Sequence, residues 1–107
     1  MTAAAMIESL PQRFRPGSGA GLDLIYHFKI AGDRGGEFTV QVRDGVCSVE
    51  KGLNGNPKCE ISASDTDYED VELGRTNAQM AVLFGKIKVS NIPSMLKFVE
   101  MFERVTE

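Results

Sequence analysis

Few side chains in this sequence have the type and spacing for acid–base, nucleophilic or metal chemistry. His27 is the single histidine, the one side chain that titrates near neutrality unperturbed. It falls on the outward phase of an alternating segment, so an exposed or half-covered imidazole is expected. No Ser-His-Asp or Cys-His arrangement follows from the spacing. Cys47 and Cys59 lack a CxxC spacing and occupy apolar-phase positions of strands. They read as two buried free thiols in a reducing compartment. A zinc set would need more than one histidine or carboxylate company beside them.

Asp65, Asp67, Glu69 and Asp70 open like a calcium loop. The pattern then fails, because the sixth position is Asp70 where glycine is required and the twelfth is Thr76 where glutamate is required. Helix capping accounts for these acids better. Gly32-x-x-Gly35-Gly36 is glycine-rich, but it joins two strands, whereas a phosphate cradle leads from a strand into a helix. No catalytic residue, no metal site and no cofactor are expected, and a non-enzymatic role follows.

The bulk properties narrow the classes further. The 107 residues suffice for one domain, 1–107, with one core. A net charge of −3 shows no basic patch overall, so no nucleic acid is expected as partner. At most transient membrane contact is expected. No apolar run approaches the roughly 20 residues of a membrane-spanning helix. The start, MTAAAMIESLPQRF, carries Glu8 and no long apolar stretch, unlike a secretory signal. A cytoplasmic location is the expectation.

The periodicities place these residues on elements. Met6, Ile7, Leu10 and Phe14 give residues 3–14 one apolar stripe of a short helix, interrupted by Pro11. Pro16 to Gly21 is a loop. Leu24, Tyr26, Phe28 and Ile30 share one strand phase, and Phe38, Val40 and Val42 another. Asp44-Gly45 is a hairpin turn signal, followed by a strand from Val46 to Glu50. Cys59, Ile61 and Ala63 form the inward phase of a fourth strand. Ser64 with Asp67, or Thr66 with Glu69, resembles a capping box, and Gly74 suits the end of that helix. A second short helix starts at Asn77 and closes at Gly85. Ile87 and Val89 make a fifth strand, and a last helix begins near Pro93. The order α-βββ-β-αα-β-α describes an α+β domain with a five-stranded, mostly antiparallel sheet covered by helices.

The last helix carries more apolar surface than one core stripe requires. On a helical wheel Met95, Phe98, Val99, Met101, Phe102 and Val105 form an apolar arc of roughly 160°, and Leu96 adds a further position at its far side. The preceding helix is equally rich, with Met80, Val82, Leu83 and Phe84. Three readings fit: a well-filled core, a homodimer or partner surface, and an internal cavity for an apolar ligand.

The chain resembles the sterol carrier protein-2 family, in its bacterial single-domain form, over about residues 6–105. The most specific part is SDTDYEDVELGRTNAQMAVLFGKIKVSN, with S-D-x-D-[YF], L-G-[RK] and a short helix ending in G-K-[IL]-K-[VI] in the family's order. LPQRFRPGSGAGLDLIYHFKIAGDRGGEFTVQVRDGVCSVEKG adds "RDG" followed by C-x-V-x-x-G. The resemblance implies a five-stranded sheet covered by helices with a hydrophobic tunnel between them. It implies a lipid ligand: fatty acid, fatty acyl-CoA, phospholipid or a sterol. Carried over by position, the lining comprises Met80, Leu83, Phe84, Ile87, Ile92, Met95, Val99 and Phe102, with Phe28, Val40 and Val42 from the sheet. Lys86 or Lys88 would sit near the head group. The alternative is an interaction or accessory domain whose apolar surface closes a dimer or partner interface, or which holds a polyprenyl or quinone intermediate.

This sequence departs from the family pattern in two places. The glycine usual near Ser90-Asn91 is missing, and Pro93 stands where a small flexible residue is common. A stiffer entry to the last helix is expected. The tail Val105-Thr106-Glu107 carries no peroxisomal address, which suits a bacterial cytosolic protein and weakens the case for a sterol.

Overall fold

A computed structural model describes residues 1–105; Thr106 and Glu107, which close the predicted tail, lie outside the described residues. The chain runs α1 (Ala3–Glu8), α2 (Leu10–Arg13), β1 (Asp23–Ala31), β2 (Gly36–Arg43), β3 (Val46–Lys51), β4 (Cys59–Ser64), α3 (Asp65–Glu72), α4 (Ala78–Leu83), β5 (Ile87–Val89) and α5 (Ile92–Glu100). The expected single helix over 3–14 is two helices. Pro11 sits at the start of α2, where its ring prevents an unbroken helix from continuing through it. Ser9 closes α1, its hydroxyl donating to the Met6 carbonyl at 2.7 Å.

The five strands form one sheet in the order β3-β2-β1-β4-β5. Three pairings are antiparallel and β1–β4 is parallel. The β2–β3 hairpin turns at Asp44 and Gly45, with φ of 49° and 81°. Two successive positive φ values match the right-handed twist of a two-residue hairpin, which explains the Asp-Gly pair there.

Alternation decides the two faces. Tyr26, Phe28 and Ile30 of β1 pair with Val40, Phe38 and Gly36 of β2 and point into the core, as do Val42, Cys59 and Ile61. Helices α1, α3 and α5 cover this face through Met6, Ile7, Tyr68 and Phe98. Aromatic rings fill the space between sheet and α5. Phe98 lies 4.4 Å from Tyr26, 5.6 Å from Phe28 and 4.6 Å from Phe102, centroid to centroid.

The opposite face corrects one expectation. His27 is on the outward phase as read, yet it is 6% exposed. The β3–β4 connection, residues 52–58, must cross the sheet because β4 lies beyond β1. It passes over the cross-strand pair His27 and Thr39. His27 Nε2–H donates to the Asn54 carbonyl at 2.8 Å. The Thr39 hydroxyl donates to the Gly52 carbonyl at 2.7 Å and accepts from the Asn54 N–H at 2.8 Å. His27 is a structural strut under a crossover loop.

A second correction concerns the last helix. It ends at Glu100, with Met101 as its cap. Phe102 instead forms a β-bridge with Phe14. The Arg15 N–H donates to the Met101 carbonyl at 2.8 Å and the Glu103 N–H to the Arg13 carbonyl at 2.7 Å. This pairing with a segment far away in sequence pulls Phe102 and Val105 off the helical wheel.

Candidate functional site

The acidic cluster at the start of α3 serves structure. Ser64 caps the helix, accepting from the Asp67 N–H at 3.1 Å. Asp65 accepts from the Arg34 N–H at 3.1 Å, and Glu69 pairs with the Arg34 guanidinium at 2.9 Å. These contacts clip the β1–β2 hairpin to α3. Gly32 is required at that hairpin: its φ is +101°, and a Cβ there would lie 2.3 Å from the Asp65 carboxylate. Among the described residues, no group of three His, Cys, Asp or Glu could hold a metal ion.

The remaining titratable groups in the core are quiet. Burial pushes the Cys47 thiol up to about 11, against the pull of Arg13, so it stays protonated and weakly nucleophilic at neutral pH. Burial likewise raises the Tyr26 phenol to about 12. Arg13 is held by Met6, Ser9, Glu72 and the Glu103 carbonyl. That leaves apolar surface as the feature with functional content.

The expected lining residues fall into two groups. Phe28, Val40, Val42, Ile87 and Phe102 are buried in the core. Met80, Leu83, Phe84, Ile92 and Val99 are exposed, Leu83 at 74% and Phe84 at 68%, while Met95 is half-buried. Leu96, 61% exposed, belongs with the second group. It lies outside the expected lining, although the spacing Ile92, Leu96, Val99 signals one helical face. Of the eight large apolar side chains exposed among the described residues, six lie between Met80 and Val99.

Local sequence explains why these side chains point outward. Asn77 caps α4, accepting from the Met80 N–H at 3.2 Å, and Gly85 follows it at φ +75°. Ala81 is the one fully buried residue of α4. Met80, Leu83 and Phe84, related by three and four positions, share a different side. In α5, Asn91 accepts from the Ser94 N–H at 3.1 Å, and the Tyr26 hydroxyl donates to the Ser94 carbonyl at 2.9 Å. With Phe98 fixed inward, Ile92, Leu96 and Val99 face away from the sheet. Each such side chain left in water forgoes about 1.5–3 kcal/mol of burial. Six such side chains within twenty residues set this segment apart from the rest of the described surface. A separate concavity of about 560 Å³ lies elsewhere, beside Arg13, Phe14 and Glu103.

Comparison with known proteins gives the family. The model of the SCP-2 sterol transfer family matches residues 9–103. The chain belongs to that family. The solution structure of sterol carrier protein domain 2 of Helicoverpa armigera is 30% identical, with a TM-score of 0.60 over 71% of this chain and 63% of that one. Palmitated SCP2L2 from Aedes aegypti superposes at TM-score 0.72 and 17% identity, covering 99% of this chain and 100% of that one. The inverting sec-alkylsulfatase from Pseudomonas sp. reaches TM-score 0.80 at 14% identity, over 99% of this chain. The chain spans 17% of that enzyme's length, so the likeness is one of fold. No curated protein gave a sequence match. No helix among the described residues is long and apolar enough to cross a membrane.

Proposed function

We propose that this domain binds and carries a lipid with a long apolar chain, held against the apolar faces of α4 and α5, without catalysing a reaction. The observation that carries the reading is the set Met80, Leu83, Phe84, Ile92, Leu96 and Val99, exposed within twenty residues of a chain of the sterol transfer family. Helix α4, anchored by buried Ala81 and partly buried Val82, is the element assigned to move. The buried members Phe28, Val40, Val42, Ile87 and Phe102 then form the floor of a tunnel that opens as α4 swings out, with Met95 between floor and wall. Lys88 on β5 and Lys86 just before it, between the two helices in the chain, would pair with a carboxylate or phosphate at the mouth. The domain is assigned to the cytoplasm.

The driving force is the removal of methylenes from water. At about 0.8 kcal/mol each, ~14 buried methylenes contribute roughly 11 kcal/mol before association and chain ordering are subtracted. A micromolar or tighter complex, about −8 kcal/mol, is within reach. A fatty acid, acyl-CoA or phospholipid satisfies these terms. A polyprenyl or quinone intermediate is the second reading, supported by the likeness to the ubiquinone synthesis protein UbiJ-SCP2, at TM-score 0.68 and 14% identity. Organic extraction of the purified protein followed by lipid mass spectrometry tests both: acyl lipids are expected, prenyl lipids would favour the second reading, and a lipid-free protein that takes up neither would reject both.

A further inference from the structure

Two residues assigned to the tunnel floor, Phe28 and Phe102, are covered by the same ring. Phe98, 4% exposed, lies 5.6 Å from Phe28 and 4.6 Å from Phe102, centroid to centroid. Its third ring neighbour is Tyr26, at 4.4 Å. The space between β1 and α5 is therefore filled by a side chain of the protein itself. Protein interiors are close-packed, with few voids larger than a water molecule. An acyl chain that reaches Phe28 and Phe102 must take the place of the Phe98 ring.

The three partner rings are pinned from other directions. Tyr26 donates its hydroxyl to the Ser94 carbonyl at 2.9 Å. Phe28 stands on a strand paired on both sides, by β2 and β4, and meets Tyr68 edge to face at 6.1 Å. Phe102 forms a β-bridge with Phe14, whose ring is 5.3 Å away. The helix is tied at both ends, through the Ser94 carbonyl in its first turn and through the Met101 carbonyl, which accepts from the Arg15 N–H at 2.8 Å. Floor and helix are fixed, and the movable part is the Phe98 side chain, turning about its own Cα–Cβ bond. Met95 and Met101 stand three residues before and after it, on the same side of the helix. Their unbranched, flexible side chains adapt to such a change.

We propose that Phe98 is a plug: in the ligand-free domain its ring occupies the place of the lipid chain, and on binding it turns away so that the chain packs on Phe28 and Phe102. The proposal rests on the lipid-carriage reading above and adds the side chain that gates the site. In a close-packed interior the ring and Cβ hold the room of about seven methylenes. Without the ring there is nothing to displace, and a cavity cut into an apolar core stays dry and accepts an apolar guest.

The test is titration of the full chain with a fluorescent fatty acid, on the wild type, Phe98→Leu and Phe98→Ala. Both variants should bind more tightly than the wild type, Phe98→Ala by about tenfold, as expected when a buried aromatic ring no longer has to leave its site. Phe98→Leu keeps most of the apolar volume and decides the matter if Phe98→Ala does not fold. In the wild type, nuclear Overhauser contacts between the Phe98 and Tyr26 rings should vanish on saturation with palmitate, and contacts from palmitate to Phe28 should appear. Binding with the Phe98–Tyr26 contacts intact, or binding by the folded variants no tighter than wild type, would overturn the plug and leave lipid carriage standing. A wild type that takes up no fatty acid would overturn both.

Discussion

The Tyr26 hydroxyl donates a 2.9 Å hydrogen bond to the Ser94 carbonyl, tying the middle of β1 to the first turn of α5. The same ring packs against Phe98 at 4.4 Å. These two contacts fix which face of α5 looks inward and leave Ile92, Leu96 and Val99 outside. With its phenol raised to about 12 by burial, Tyr26 remains a donor throughout the physiological range. Tyr26→Phe should therefore lower stability by about 1 kcal/mol in urea unfolding. Amides of α5 should exchange faster than those of β1 and β2; uniform acceleration across the sheet would show that the bond does not orient the helix.

Neighbouring positions on α5 should separate stability from binding. Phe98→Ala removes the ring at the centre of the aromatic cluster and should cost about 3–5 kcal/mol. Val99→Asp, at a 56% exposed position, should change stability by only about 0.5 kcal/mol. It should nevertheless abolish uptake of a fluorescent fatty acid. Normal uptake by Val99→Asp would remove α5 from the site.

Acid sensitivity follows from the clip between the β1–β2 hairpin and α3. The Arg34 main-chain N–H, with lesser bonds from Thr66, holds Asp65 below the usual carboxylate range, and the Arg34 guanidinium does the same for Glu69. A depressed folded pKa contributes stability that is present above the unfolded value, about 4, and is lost as pH falls through the folded value. Glu72, raised chiefly by burial, has the opposite sign and partly offsets the loss. Tm measured from neutral pH down past the carboxylate range should fall on acidification. Arg34→Gln should start lower and show a shallower acid limb. An unchanged slope would mean that the guanidinium does not set the Glu69 shift.

Thr39 tests the crossover loop on the far face. Thr39→Val removes one donor to the Gly52 carbonyl and one acceptor from the Asn54 N–H. Leaving these groups without their partner should cost about 1–3 kcal/mol in urea unfolding. Fatty acid uptake by the folded variant should stay at the wild-type level, because the ligand surface is on the other side of the molecule; a parallel loss of uptake would link the two faces.

The sheet was legible wherever alternation and turn chemistry agreed. Tyr26, Phe28, Val40 and Val42 lie on the core side as their phase requires, and Asp44-Gly45 turns as its positive φ values demand. The N-caps Ser64 and Asn77 also stand where local pattern placed them. What local pattern could not carry was contact between distant segments. His27 is covered because the 52–58 connection crosses the sheet, and Phe102 leaves the helix because Phe14 pairs with it. The division of the lining residues was hidden for the same reason. Phe84 and Phe98 are equally apolar, and only packing decides that one is exposed and the other buried.

The most direct measurement is native mass spectrometry of the freshly purified protein, with lipid extraction, on the wild type and on Leu83→Asp, Phe84→Asp and Leu96→Asp. The expected result is a bound acyl lipid on the wild type and an empty but folded protein for each variant, since these positions are 74%, 68% and 61% exposed and tolerate charge without loss of the core. A wild type that emerges empty and takes up no fluorescent fatty acid, or variants that retain the lipid, would contradict the assignment of the α4 and α5 apolar faces to ligand binding.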